Sequence, residues 1–281
     1  MAHTAPVATS RTGHRMTRRG RLTVMPLSRR ALQVAAGAVA GTAGAVVATL
    51  VGQVVWTVTR PHPTVHGTDI SGTEGVDGPL VRIAVLGDST LTGPGIAPHD
   101  VWVRQASRRL AHRRPSGLRI EVVSHAEGGA RVTDVLTRQV PRLLADPTDI
   151  VVVAVGANDV IRATPLRRLG RDADRLVGSL VAVVPRVVVA GVGDLGAIPR
   201  VPRPLADVLR RRARAVSHRL AGAVVAHPPA VFVPADEADE VLREGPDAFA
   251  ADRFHPNEHG HGAWARTIEP VLDDLVGEVL R

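Results

Sequence analysis

The chain has 281 residues, 44% hydrophobic and 22% charged, which suits one substantial globular domain and excludes a disordered chain. It holds no cysteine, so disulfides, thiolate metal sites and cysteine nucleophiles are all ruled out. Its formal charge of +8 is carried by seven arginines within residues 1–30 together with Arg60; the body from Pro61 onward is close to neutral, which argues against a nucleic-acid-binding face.

Residues 1–30 form a basic arm without an acidic side chain. From Ala31 to Thr59 there is no charged residue, and a helix of that length, at about 1.5 Å per residue, crosses a bilayer core of about 30 Å. Trp56 sits where an interfacial aromatic is expected, and Arg60 closes the run. Because the arginines precede it, the positive-inside rule puts the arm in the cytoplasm and the body outside. The length favours a retained single-pass anchor in the cell membrane. Ala43-Gly44-Ala45 and Val46-Val47-Ala48 nevertheless resemble cleavage sites, which would give a secreted protein, and Ser28-Arg29-Arg30 resembles a twin-arginine export signal. Residues 60–80 are dense in turn formers and read as a linker to the folded domain at 81–281.

Within that domain five short apolar runs predict strands: Val81–Leu86, Leu118–Val123, Ile150–Val155, Arg186–Ala190 and Ala230–Val233. They are continuous in Val and Ile rather than alternating, as strands covered on both faces are. Amphipathic stretches alternate with them at Val101–Arg113, Val132–Leu144, Leu166–Val184 and Leu205–Ala223, and a last helix is predicted over Asn257–Val279. This alternation predicts an α/β fold: a three-layer, doubly wound parallel sheet of about five strands flanked by helices. In such a sheet functional loops leave the carboxyl ends of the strands.

Each predicted strand end of interest carries residues able to do chemistry. The first runs into Gly87-Asp88-Ser89-Thr90, where Ser89 can be exposed with its own N–H free for a bound oxygen; taken singly, it is equally a turn serine. The second leads to His125-Ala126-Glu127-Gly128-Gly129-Ala130, whose two glycines allow close backbone approach and a free N–H near a ligand; alone, this is only a turn. The third leads to Gly156-Ala157-Asn158-Asp159, where the Asn158 amide can donate into a cleft or simply cap a turn. Near the C-terminus, Asp252 lies three residues before His255 and can fix its tautomer, leaving the other ring nitrogen as a base.

Order, residue types and placement after successive strands together resemble the SGNH hydrolases, also called GDSL esterases and lipases. GDST at 87–90 is similar to their nucleophile block, with Thr in place of Leu. Gly129-Ala130 is similar to the glycine block, GAND at 156–159 to the asparagine block, and DRFHP at 252–256 to the Asp-x-x-His block. The resemblance covers about residues 81–275 and implies a serine esterase with a flavodoxin-like, doubly wound fold. It implies catalytic Ser89, Asp252 and His255, and an oxyanion hole from Ser89, Gly129 (rather than the adjacent Gly128) and Asn158. The partner it implies is a small-molecule, lipid or glycan ester, with no metal or organic cofactor.

The same site could serve an O-acyltransferase or deacetylase acting on surface glycans or glycolipids, and a non-catalytic membrane-tethered binding module is a further alternative. Low aromatic content and the lack of an obvious lid insertion lean toward short acyl chains. His255, His259 and His261 suggest zinc by spacing alone, but on one helix His261 would face away from the other two. The arginines at 210, 211, 212, 214 and 219 read as a solvated face, paired with the acidic run 236–240 or set against anionic headgroups. Asp88 and Asp159 read as loop-organising residues.

Overall fold

The computed structural model describes residues 29–114 and 116–281, so most of the basic arm lies outside the described residues. The apolar run is one continuous helix, α1 (Arg29–Thr59), and its stretch Ala40–Thr57 is long and apolar enough to cross a membrane. The chain divides into two units after Ala48. In the first, the described side chains from Ala40 to Ala48 are exposed.

The second unit, Thr49–Arg281, is the three-layer fold. Its sheet has six strands in the order β1-β3-β2-β4-β5-β6, formed by β1 (Gly72–Glu74), β2 (Leu80–Gly87), β3 (Arg119–Ser124), β4 (Ile150–Ala154), β5 (Val187–Ala190) and β6 (Val231–Val233). Five strands are parallel, within a residue or two of the predicted spans. The sixth, β1, pairs antiparallel with the edge of β3 and lies inside the stretch read as linker. Every residue of β4 is buried because the strand is covered on both faces, which is why it reads IVVVA without alternation.

On one face of the sheet α2 (Trp102–Arg113) and α9 (Glu258–Val279) pack through Trp102, Leu110, Ile268 and Leu272. The other face is covered by α6 (Leu166–Val181) and α7 (Leu205–Ala226), through Leu176, Val177, Val216 and Leu220. It is also covered by a broken helix made of α3 (Val132–Asp134), a π-helical turn (Val135–Gln139) and α4 (Val140–Leu143). Two further helices are short: α5 (Ala157–Ile161) and α8 (Asp236–Glu244). The last turns of α1 belong to this unit. Leu50 packs on its core, while Gln53 donates to the Arg203 carbonyl and accepts from the Leu205 N–H at 3.0 Å.

Candidate active site

The loops that follow β2, β3, β4 and β5 converge with the segment before α9 on a cavity of about 780 Å³. Its position at the carboxyl edge of a parallel sheet is the one the fold predisposes to binding. Ser89, Gly128, Gly129, Asn158 and His255 all line it.

The Ser89 turn starts at a glycine for two independent reasons. Gly87 has φ +156°, and a β-carbon there would lie 1.9 Å from the Ala154 carbonyl oxygen of the adjacent strand. This close approach lets the Asp88 N–H donate to the same carbonyl at 3.1 Å. The chain then reverses, with the Thr92 and Gly93 N–H groups bonding the Ser89 carbonyl at 3.3 and 3.1 Å. Asp88 is buried and its Oδ1 accepts from the Thr90 N–H and hydroxyl, both at 3.0 Å. Burial raises its carboxyl to about 6 despite those two bonds.

Gly129 adopts φ +79°, a left-handed turn that a side chain would strain. The turn is tied to the Asn158 loop by Asp159, whose Oδ2 accepts from the Val132 N–H at 2.9 Å. Asp88 and Asp159 therefore organise loops, as their sequence positions suggested.

At the C-terminal block, Phe249 and Pro256 form an isolated bridge, and the Ala250 N–H bonds the His255 carbonyl at 2.8 Å. The excursion between them carries Asp252. Its Oδ1 accepts from the N–H groups of Phe254 and His255 at 3.0 and 3.1 Å, and its Oδ2 lies 2.7 Å from His255 Nδ1. Burial pushes this carboxyl up, but those three hydrogen bonds outweigh it and hold Asp252 below the usual carboxylate range. An ionised Asp252 accepting from Nδ1–H leaves His255 Nε2 free to accept a proton.

His261, the third member of the histidine cluster, turns elsewhere. It is buried, its Nδ1 accepts from the Trp102 N–H at 3.3 Å, and burial lowers its pKa to about 3. Nor do the α7 arginines meet the acidic run. Arg210 pairs with Asp194 and Asp207, and Asp239 of the run pairs with Arg243 of its own helix.

The two flanks of the cavity differ in character. Toward β5 the wall is apolar, made by Val192, Leu195, Ile198, Leu242, Phe249 and Phe254. Beyond β3 it is formed by a strap, residues 65–69, which sequence reading assigned to the linker. The Thr68 N–H bonds the Thr92 carbonyl at 2.8 Å, and Gly67 lies so close to Thr92 that a β-carbon would meet its hydroxyl at 2.1 Å. No periodicity marks the strap. Gln139 was also missed: it is fully buried and bonds both backbone groups of Gly87, yet it lies in a stretch that reads as an ordinary amphipathic helix.

Comparison with known proteins identifies the family and the fold. Residues 85–263 match the GDSL-like Lipase/Acylhydrolase family. The chain is 30% identical over 211 residues to the GDSL-like esterase Rv1075c of Mycobacterium tuberculosis, covering 71% of this chain and 64% of that protein. It is 29% identical over 215 residues to the GDSL lipase Rv0518 of the same organism, covering 70% and 84%. Among solved structures, the lipase/acylhydrolase of Enterococcus faecalis superposes with a TM-score of 0.56 at 19% identity, over 69% of this chain and 96% of that one, and this likeness speaks to the fold. With the matched region running from the strand that precedes Ser89 to the helix that follows His255, the chain belongs to the GDSL-like lipase/acylhydrolase family.

Proposed function

We propose that this chain is a membrane-anchored serine esterase cleaving carboxylic esters, with Ser89 as nucleophile, His255 as general base and Asp252 as its orienting partner. The observation that carries the reading is the 2.7 Å Asp252–His255 contact, set beside the same cavity that Ser89 lines from a different strand. Ser89 Oγ attacks the ester carbonyl as His255 Nε2 takes its proton, and Asp252 stabilises the resulting imidazolium. Negative charge on the carbonyl oxygen is met by the N–H groups of Ser89 and Gly129 and by the Asn158 amide. His255 then protonates the departing alcohol, and water attacks the acyl-Ser89 ester with His255 again as base, which releases the acid and restores the serine.

In the same reading α1 is a retained anchor, and the domain lies on the extracytoplasmic side. The support is an exposed apolar helix that follows the arginine-rich arm, with Arg60 stacked 4.8 Å over Trp56 at its end. Residues 60–64 are then the linker proper, and the working domain begins with the strap at Val65.

The test is fluorophosphonate labelling and a p-nitrophenyl ester assay of the full-length chain, with Ser89→Ala and His255→Ala alongside. Labelling at Ser89, with activity reduced by roughly a thousandfold or more in both variants, is the expected result. Equal hydrolysis by parent and Ser89→Ala would overturn the assignment.

A further inference from the structure

Gln139 is fully buried, and its amide serves a single residue. Its Oε1 accepts from the Gly87 N–H at 2.7 Å, and its Nε2 donates to the Gly87 carbonyl at 2.9 Å. Gly87 is the last residue of β2, two before Ser89. The β2–β3 ladder stops at Val85 and Ser124, so on that side the Gly87 N–H lies beyond the paired strand. A buried N–H needs a partner, and the Gln139 amide fills the place a longer β3 would have taken. The Gly87 carbonyl also accepts from the Glu127 N–H at 3.1 Å, and Glu127 opens the turn that contains Gly129. One side chain therefore fixes the residue on which both the Ser89 turn and the Gly129 turn depend.

The helix is distorted where it delivers this amide. Gln139 ends the π-helical turn, in which the Val140 N–H reaches back to the Val135 carbonyl, one residue further than in an α-helix. Such insertions change which face the following residues present, and they are frequent at functional sites.

We infer that Gln139 is a positioning residue for ester hydrolysis: acting through Gly87, it holds the Ser89 nucleophile and the Gly129 N–H in register with one another. The inference rests on the reading of Ser89 as nucleophile. Because the nucleophile and the oxyanion donor come from different loops, loss of the clamp spoils their mutual geometry without removing any group that binds substrate. The cost falls on kcat rather than KM, and a misplacement of about 1 Å is worth on the order of a hundredfold.

The test uses the full-length chain and a p-nitrophenyl ester, with Gln139→Leu and Gln139→Glu. A protonated glutamic acid presents the same pattern as glutamine, a C=O for the Gly87 N–H and an O–H for the Gly87 carbonyl, whereas the ionised carboxylate can only accept. Burial keeps such an acid neutral well above the usual carboxylate range. The kcat of Gln139→Glu relative to wild type, a ratio that divides out the pH dependence common to both proteins, is expected within about threefold of unity near pH 6 and to fall at least roughly tenfold by about pH 9. Gln139→Leu is expected to lose roughly tenfold to a hundredfold in kcat with KM within about twofold.

A flat ratio for Gln139→Glu across that range, with both proteins folded by circular dichroism, would overturn the inference even if Gln139→Leu does not fold. So would a Gln139→Leu protein with wild-type kcat. Fluorophosphonate labelling separates the two levels of the argument. If wild type is not labelled at Ser89, the esterase reading fails and the inference with it. If wild type is labelled but Gln139→Leu reacts at an equal rate, the inference alone fails.

Discussion

Two buried titratable side chains near the cavity give the protein opposite pH sensitivities. His261 is neutral in the fold, its pKa lowered by burial from 6.5 to about 3. A depressed histidine leaves stability intact above pH 6.5 and removes it as pH falls through the window toward about 3, by roughly 3 kcal/mol near pH 4. Thermal unfolding between about pH 7 and 4 should therefore be steeper for wild type than for His261→Asn. Asp88 works the other way. Burial raises its pKa from 3.8 to about 6, so the ionised form is disfavoured, and a penalty absent below 3.8 grows through that window to its full value, about 3 kcal/mol, above it. The stability of Asp88→Asn relative to wild type should accordingly improve from about pH 4 to pH 7, and a difference independent of pH would show that Asp88 ionises freely. Asp252→Asn keeps the shape of its loop but loses the charge that holds the His255 tautomer. Its kcat is expected to fall on the order of a thousandfold to ten-thousandfold in the ester assay.

At the scale of elements, the strand that delivers Ser89 tolerates no side chain at its end. In Gly87→Ala the methyl would meet the Ala154 oxygen at 1.9 Å, with φ at +156°, so strand separation or a backbone shift must follow. The expected loss is about 3 kcal/mol or more in denaturant unfolding, and a smaller loss would mean that β2 and β4 separate easily. The central strands β4 and β5 were legible because full burial writes itself as uninterrupted Val, Ile and Ala, and the helices between the strands because one apolar face repeats. Short or charge-masked elements were not. The strand β1 is three residues long, α8 had registered as a charge run, and the π-helical turn leaves no mark in a sequence whose apolar spacing still looks helical. Candidate site residues were legible where they sit in compact blocks: Ser89 and Asn158 after strands, Asp252 and His255 in the segment before α9. Gln139 was not, because its role depends on where β3 stops.

For the whole molecule, charge and hydropathy divided the chain into arm, apolar helix and folded body, but they placed the boundary of the body too late to include the strap. A chain beginning at Pro61 should keep the esterase activity of the intact protein. One beginning at Ser71 removes the cavity wall at residues 65–69, and its preference along a p-nitrophenyl chain-length series should change while Ser89 still reacts with a fluorophosphonate.

The strap also sets a distance. Only five residues, 60–64, separate Thr59, where α1 ends, from Val65, where the cavity wall begins, and the six extended steps from Thr59 to Val65 span about 20 Å. The cavity wall therefore stays within that reach of the end of α1 at all times. Under the proposed anchored reading, the enzyme would patrol a thin layer above the lipid rather than sample the surrounding volume. Its encounters with substrate then follow the number of ester groups per unit area of membrane, and diluting an amphiphilic ester within the bilayer should slow it more than diluting the vesicles in buffer.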